Sequence, residues 1–282
     1  MTDYLAEGTI YYNSAVKAFG KSSSIISTFT KFFMGESKSD EAYELFDKAK
    51  NKFELAKSHD DVINCLEYMI KIQLNDDHCN DHEMYKLYME LADKYDKLKE
   101  NIKFEITIHE AMKYISVPFQ IEKCKKKLIE YYKSNMDMDN WIMEVKSLLE
   151  YDNIHNKNNY YEELICYYIQ QSMFNDAYQL SEKYINSQNN KMFDEYHKFN
   201  TYYNLLSIII DCDGYLVNKL NIKHKRYDFM DSLIEAIKKN NDEKIKSAIK
   251  ENTKYASLDE METKLCVHII EIIQNKEYDK YS

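Results

Sequence analysis

An all-α fold, a stack of amphipathic helical hairpins, is what this sequence predicts, and three observations carry that reading. The 282 residues contain one proline, Pro118, and four glycines, where average usage puts the two together at roughly 12%. Turn-rich β folds and phosphate loops consume both residue types. Apolar residues recur at three- and four-residue spacing almost from end to end, the period of helix faces turned toward a core. Polar breaks (DDHCND, DMD, NKNN, NSQNN) separate helix pairs that repeat roughly every forty residues, a period typical of helical solenoids. Each hairpin in such a stack needs only its neighbours, so a chain of this length suits one elongated array as well as it suits two domains.

The elements follow in order. From Asp40, Ala42, Leu45, Phe46, Ala49, Phe53 and Ala56 form one stripe and Val62, Leu66, Met69 and Ile70 a second, so two helices meet near Ser58, where the Ser-His-Asp-Asp run supplies cap residues for the second. Further stripes run through Met84, Leu87, Leu91, Tyr95 and Leu98, then Ile121, Cys124, Leu128 and Tyr131, then Ile142, Val145 and Leu149. Tyr161, Leu164, Ile165 and Tyr168 come next, followed by Ala177, Leu180 and Tyr184, and by Tyr202, Leu205, Leu206 and Ile209. KFEITIH (103–109) alternates like a strand, but a lone strand would have no partner, so it is read as helix. The expected division is an array over 1–212 and a C-terminal helical bundle over 213–282, the latter carried by Phe229, Leu233, Ile237, Ile245, Ile249, Leu258, Met261, Leu265, Ile269 and Ile272.

Composition narrows the function. A net charge of −10 speaks against a general nucleic-acid binder. No apolar run is long enough to span a membrane, and the N-terminus does not read as a signal peptide, so a cytoplasmic location is expected. The six cysteines (65, 79, 124, 166, 212, 266) show no C-x-x-C pair and are read as reduced core residues, Cys79 excepted.

Few motifs suggest chemistry. LLSIIIDCDGY (205–215) would present Asp211 as nucleophile and Asp213 as acid/base in a haloacid-dehalogenase-type phosphatase, but that scaffold needs strands and glycine loops absent on both sides, so the stretch is read as a helix ending at Gly214. An EF-hand loop there lacks its later glutamate. His78 and His82, with Asp76, Asp77, Cys79 and Asp81, have metal-compatible spacing but sit in a polar connection with nothing to complete a shell, so no metal and no cofactor are expected. Two stretches point to surfaces instead. Ile25, Ile26, Phe29, Phe32, Phe33 and Met34, flanked by Lys21, Lys31 and Lys38, suit shallow insertion into a bilayer interface as well as packing on the first helices. Lys123, Lys125, Lys126 and Lys127 are the densest basic run of an acidic chain, either a solvated face or a contact for an acidic helical bundle.

These residues resemble the soluble NSF attachment proteins. In that family an N-terminal helix leads to an apolar membrane-contacting loop with paired phenylalanines and a glycine, here Phe29, Phe32, Phe33, Met34 and Gly35 (loop about 22–36). A Glu-Ala, aromatic, Ala, Phe, Ala-Lys helix follows, here Glu41, Ala42, Phe46, Ala49, Phe53, Leu55, Ala56 and Lys57. The resemblance returns in Leu233, Ile234, Glu235 and Ala236 and in the turn Ser257, Leu258 and Asp259.

The resemblance implies a curved, right-handed stack of tetratricopeptide-like hairpins with a C-terminal bundle. It implies an adaptor and not an enzyme: a peripherally membrane-associated protein that coats an assembled SNARE four-helix bundle and recruits the hexameric N-ethylmaleimide-sensitive factor ATPase to disassemble it after vesicle fusion. By position it nominates Lys123, Lys125, Lys126, Lys157 and Lys198 for SNARE contact, and Glu235 and Asp279 for the ATPase. The chain departs from the family where Lys238 and Lys239 replace expected carboxylates and where the sequence finishes Tyr281-Ser282 without the family's leucine. The alternative is a divergent tetratricopeptide-like scaffold that binds a helix or peptide without promoting disassembly.

Overall fold

In the computed structural model the described residues are 3–22, 36–76, 79–115, 117–151, 154–187, 194–210, 225–239, 241–255 and 258–281. Among them are thirteen α-helices and no strand. In chain order these are α1 (Tyr4–Ser22), α2 (Glu36–Ala56), α3 (His59–Leu74), α4 (Asp81–Leu98), α5 (Asn101–Met112), α6 (Pro118–Ser134), α7 (Met138–Leu149), α8 (Lys157–Gln170), α9 (Phe174–Ser187), α10 (Asp194–Ile209), α11 (Lys225–Lys238), α12 (Asp242–Tyr255) and α13 (Glu260–Tyr281). KFEITIH lies within α5, as the helical reading expected.

Four hairpins, α2–α3, α4–α5, α6–α7 and α8–α9, are closed by the same short turn. Each first helix ends at a residue with positive φ: Lys57, Lys99, Met136 and Ser172. That residue's N–H donates three residues back, and the following N–H donates five residues back: Lys57 to Glu54 and Ser58 to Phe53, Lys99 to Asp96 and Glu100 to Tyr95, Met136 to Lys133 and Asp137 to Tyr132, Ser172 to Ile169 and Met173 to Tyr168. This is the Schellman geometry, which satisfies the last carbonyls of one helix and lets the next begin one or two residues on. Glycine is the usual occupant of the left-handed position, and here four other residues hold it. Hairpin closure without glycine is how so long a helical chain manages on four of them.

The chain divides into two compact units, Met1–Glu144 and Val145–Ser282. The boundary expected at 212/213 falls among residues outside the described set. In the first unit α1 packs antiparallel on α2: Tyr12 meets the rings of Phe46 and Phe53 edge-on, Lys52 Nζ lies 5.4 Å from the Tyr4 ring centre and pairs with Glu7. The seam is the stripe Ala42, Phe46, Ala49 and Phe53, all buried. A Cβ at Gly8 would lie 2.7 Å from the Phe53 ring, so the absent side chain is what lets the two helices approach. Phe46 then stacks flat on Tyr68 of α3, with centroids 4.8 Å apart.

Successive hairpins of this unit are joined at the repeat distance. Tyr43 donates to Glu83 (2.7 Å), Lys50 pairs with Glu90 (3.2 Å) and Glu54 with Lys94, each forty residues apart. The next step, α4 to α6, carries Lys127 to Asp93 (2.6 Å). A second recurrent contact sends a tyrosine of each later helix back to a glutamate of the preceding one, Tyr95 to Glu67 (3.0 Å) and Tyr132 to Glu105 (2.6 Å). The α3 cap differs from expectation: Ser58 Oγ donates to Asp61 Oδ2 (2.6 Å) and no side chain accepts from the first backbone N–H groups. At the start of α6, by contrast, Pro118 occupies a position where no N–H is needed.

The second unit is aromatic. Tyr161, Tyr184 and Phe199 contact in sequence, at 5.1 and 3.9 Å between centroids, and Tyr178 stacks on Tyr203 at 4.9 Å. α11 and α12 pair as a fifth hairpin, and α13 packs on α10 and α8. Asp259 starts α13 in a reciprocal cap with Glu262: Glu262 N–H donates to Asp259 Oδ1 (2.8 Å) and Asp259 N–H to Glu262 Oε2 (2.9 Å). Its other oxygen accepts from buried Tyr202 (2.8 Å) and faces Lys198 (3.3 Å). Asp259 is thereby the residue that ties the last helix down.

Candidate interaction surfaces

Four lysines within five positions cannot share one face of a helix that turns 100° per residue. In α6, Lys123 is exposed, whereas Lys125 is 5% exposed and pairs with equally buried Glu144 at 2.9 Å. The expectation that Lys125 belongs to an external basic face is therefore corrected: its ammonium lies in the interior, where an unpaired charge is untenable. Lys126 pairs with Glu122 (2.6 Å) and Lys127 with Asp93, so the run is largely neutralised by the protein's own carboxylates.

The remaining nominated lysines divide similarly. Lys198 lies between Glu162 (2.6 Å) and Asp259 (3.3 Å) with its ammonium 5.7 Å from the centre of the Tyr202 ring. The two carboxylates outweigh partial burial and raise its pKa. Lys157 is half-buried and donates to the carbonyl of Tyr151 (2.8 Å). Of the five, Lys123, Lys125 and Lys126 belong to the first unit and Lys157 and Lys198 to the second.

Glu235 of α11 is exposed and held by Lys239 four residues on, whose ammonium pulls the carboxyl pKa down. The side chain of Asp279, the loop residues Ile25, Ile26, Phe29, Phe32, Phe33 and Met34, His78, and Asp211 with Asp213 lie outside the described residues. What is described is the frame of that loop. Because α1 and α2 are antiparallel, Ser22 and Glu36, the ends that 23–35 join, lie at the same end of the α1–α2 pair.

Among the described residues no group of three or more His, Cys, Asp or Glu side chains could hold a metal ion, and no helix is long and apolar enough to cross a membrane. Cys65, Cys124 and Cys266 are buried free thiols, as expected of core residues, while Cys79 and Cys166 are half-buried. Burial pushes Cys124 up to about 11 and Cys65 and Cys266 up to about 12, which silences them as nucleophiles near neutrality.

One surface feature was not found by sequence reasoning. In the second unit Lys146, Leu149, Glu150, Tyr168, Leu180 and Lys183 line a groove of about 190 Å³. Lys146 Nζ lies 5.4 Å from the centre of the Tyr168 ring, and Lys183 pairs with Glu150 at 2.7 Å. The residues come from α7, α8 and α9 and the residue after α7, and no local spacing announces them.

No protein-family model matches this chain, and no curated protein matches it. Among solved structures it is similar to the crystal structure of BtubC (BKLC) from P. vanneervenii, at 10% identity over 90% of this chain and 91% of that one, with a TM-score of 0.37. It is also similar to the tetratricopeptide-repeat domain of P58(IPK), at 14% identity over 97% and 89%, with a TM-score of 0.32. The fold, an all-α stack of tetratricopeptide-like hairpins, is carried by this chain's own helices and turns.

Proposed function

We propose that this protein is a non-enzymatic adaptor of the soluble NSF attachment kind, acting in the cytoplasm at a membrane surface. Its hairpin array binds an assembled SNARE helical bundle, and the residues around Phe32 and Phe33 touch lipid. The observation that carries this reading is the α1–α2 pair: the two helices pack antiparallel along Ala42, Phe46, Ala49 and Phe53, and the apolar residues 25–34 belong to the segment joining them. A weak lipid contact at such a position raises the effective concentration of an adaptor near membrane-anchored clients. Of the nominated basic side chains, Lys123 and Lys157 are those for which no carboxylate partner stands at salt-bridge distance among the described residues, and they are the contacts proposed for an acidic bundle.

A second reading is favoured by Glu235. Its carboxylate is paired with Lys239, and Lys238 stands beside that pair in sequence, so the surface proposed for the ATPase is partly neutralised. An adaptor that binds the helical bundle without promoting disassembly follows from this.

Pulldown of the full chain with assembled SNARE complex, with and without the ATPase, tests both. Retention of the complex alone supports the second reading, retention of both supports the first, and failure to retain either sinks the adaptor. Liposome flotation tests the loop separately: Phe32→Ser with Phe33→Ser is expected to abolish lipid association, and unchanged flotation would remove the loop from the account.

A further inference from the structure

We infer that the groove between the end of α7 and helices α8 and α9 is a subsite for a carboxylate side chain of a helical protein partner, with an apolar neighbour of that carboxylate seated on Leu149 and Leu180. The inference deepens the adaptor reading, on which the choice of a protein as the source of the carboxylate rests. Three observations lead to it.

The first is the hydroxyl of Tyr168. The residue is 1% exposed and contributes to the groove wall, yet among the described residues its hydroxyl has no hydrogen-bond partner. Its neighbours in the same unit behave otherwise, with Tyr202 bonded to Asp259 and Tyr178 to Tyr203. A buried phenol without an acceptor is a cost to the folded chain that an incoming acceptor removes.

The second is charge. In a protein of net charge −10 the groove gathers Lys146 and Lys183, with Lys157 close enough to lower the pKa of Glu150, around the two carboxylates of Glu150 and Asp176. Lys183 is taken by Glu150. Lys146 is exposed and rests over the Tyr168 ring, a contact that orients the ammonium at low cost and yields to a carboxylate. A ligand carboxylate that takes Lys146 as its ion partner draws the ammonium off the ring and offers the phenol an acceptor. The third observation is size: about 190 Å³ is below the range of pockets that enclose a whole drug-sized ligand and suits one or two side chains.

A test uses the full chain, labelled with nitrogen-15, and two alanine-based helical peptides that carry Glu and Leu three residues apart or Gln in place of Glu. The Glu peptide is expected to shift the amide signals of Lys146, Leu149, Leu180 and Lys183 and to bind at least about fivefold more tightly than the Gln peptide, as a charge-assisted contact requires. Lys146→Ala is expected to remove most of that preference. Tyr168→Phe keeps the ring and is expected to weaken the Glu peptide about threefold without lowering the melting temperature, since the hydroxyl has no partner to lose.

Equal binding of the two peptides, no binding of either, or Glu-peptide affinity unchanged in both variants overturns the subsite. A melting temperature lowered in Tyr168→Phe counts against the hydroxyl's being free for a ligand and overturns it as well. If the Glu peptide binds as expected while the SNARE complex is not retained, the adaptor reading fails and the carboxylate subsite stands. The reverse result removes the subsite alone.

Discussion

Between α2 and α4 the polar contacts advance by the same forty residues three times, Tyr43 to Glu83, Lys50 to Glu90 and Glu54 to Lys94, whereas α9 and α10 meet through rings, Tyr184 on Phe199 and Tyr178 on Tyr203. The first arrangement is directional: a lysine slipped by one turn loses its carboxylate, so the ladder fixes the register of one hairpin on the next. The second is broad and less particular about register, because ring contacts tolerate small displacements. Where the last helix joins the second unit a knot of polar contacts holds it, with Asp259 receiving Tyr202 and Lys198 while capping α13. A repeating contact suits an array whose members are alike; a knot suits the place where a different element, here the last helix, must be attached once.

The sharpest way to break this contrast is the buried pair of the first unit. Lys125→Ala strands Glu144 and is expected to cost about 3–5 kcal/mol. Lys125→Met with Glu144→Leu is expected to recover nearly all of it, and urea melts of the wild type and the two variants distinguish register from charge. A cost below about 1 kcal/mol for the single variant would show that the pair contributes little.

Alkali acts on both units through their thiols. Below pH 9 folded and unfolded chains both hold these protons, so the stability is fully present; above it the unfolded chain releases them while burial keeps them in the folded one. Stability therefore falls as pH rises from 9 through about 11 for Cys124 and about 12 for Cys65 and Cys266. The first loss, between pH 9 and 10, is about 1 kcal/mol per thiol. Replacing Cys65 by alanine removes its share of the slope, and an unchanged slope in melts against pH rules this cause out.

A local effect is expected at the α1–α2 seam. Gly8→Ala forces the Phe53 ring aside and is expected to cost about 1–3 kcal/mol. A thermal melt equal to wild type would show that the ring has room. Smallest, and opposite in sign, are the hairpin turns: Lys57→Gly or Lys99→Gly relieves a left-handed non-glycine residue and is expected to change stability by less than about 1 kcal/mol, favourably on balance. The same substitution at Ser172 asks whether the second unit's turn behaves alike.

Much of the fold was legible because helix periodicity and turn poverty are local properties. The stripes Met84, Leu87, Leu91 and Tyr95, and Tyr161, Leu164, Ile165 and Tyr168, are buried as their spacing predicts. In α7 the stripe read from the sequence took in half-buried Ile142 and left out fully buried Trp141 and Leu148, and in α5 the strand-like alternation of 103–109 hid buried Phe104. The lysines were misjudged for a different reason. A run such as Lys123 to Lys127 announces charge but not the carboxylates that reach it from Asp93 and Glu144, which are 34 and 19 residues distant from their partners. The groove was hidden for the same cause, since Lys146, Tyr168 and Lys183 are neighbours only after three separate segments have packed.

The four Schellman turns have a practical consequence. Their apices carry Lys57, Lys99, Met136 and Ser172, all exposed, on backbone whose carbonyls are already satisfied. A fluorophore on a cysteine installed at Lys57 or Lys99 would therefore report from the rim of a hairpin without touching any seam, offering separate optical handles on individual repeats.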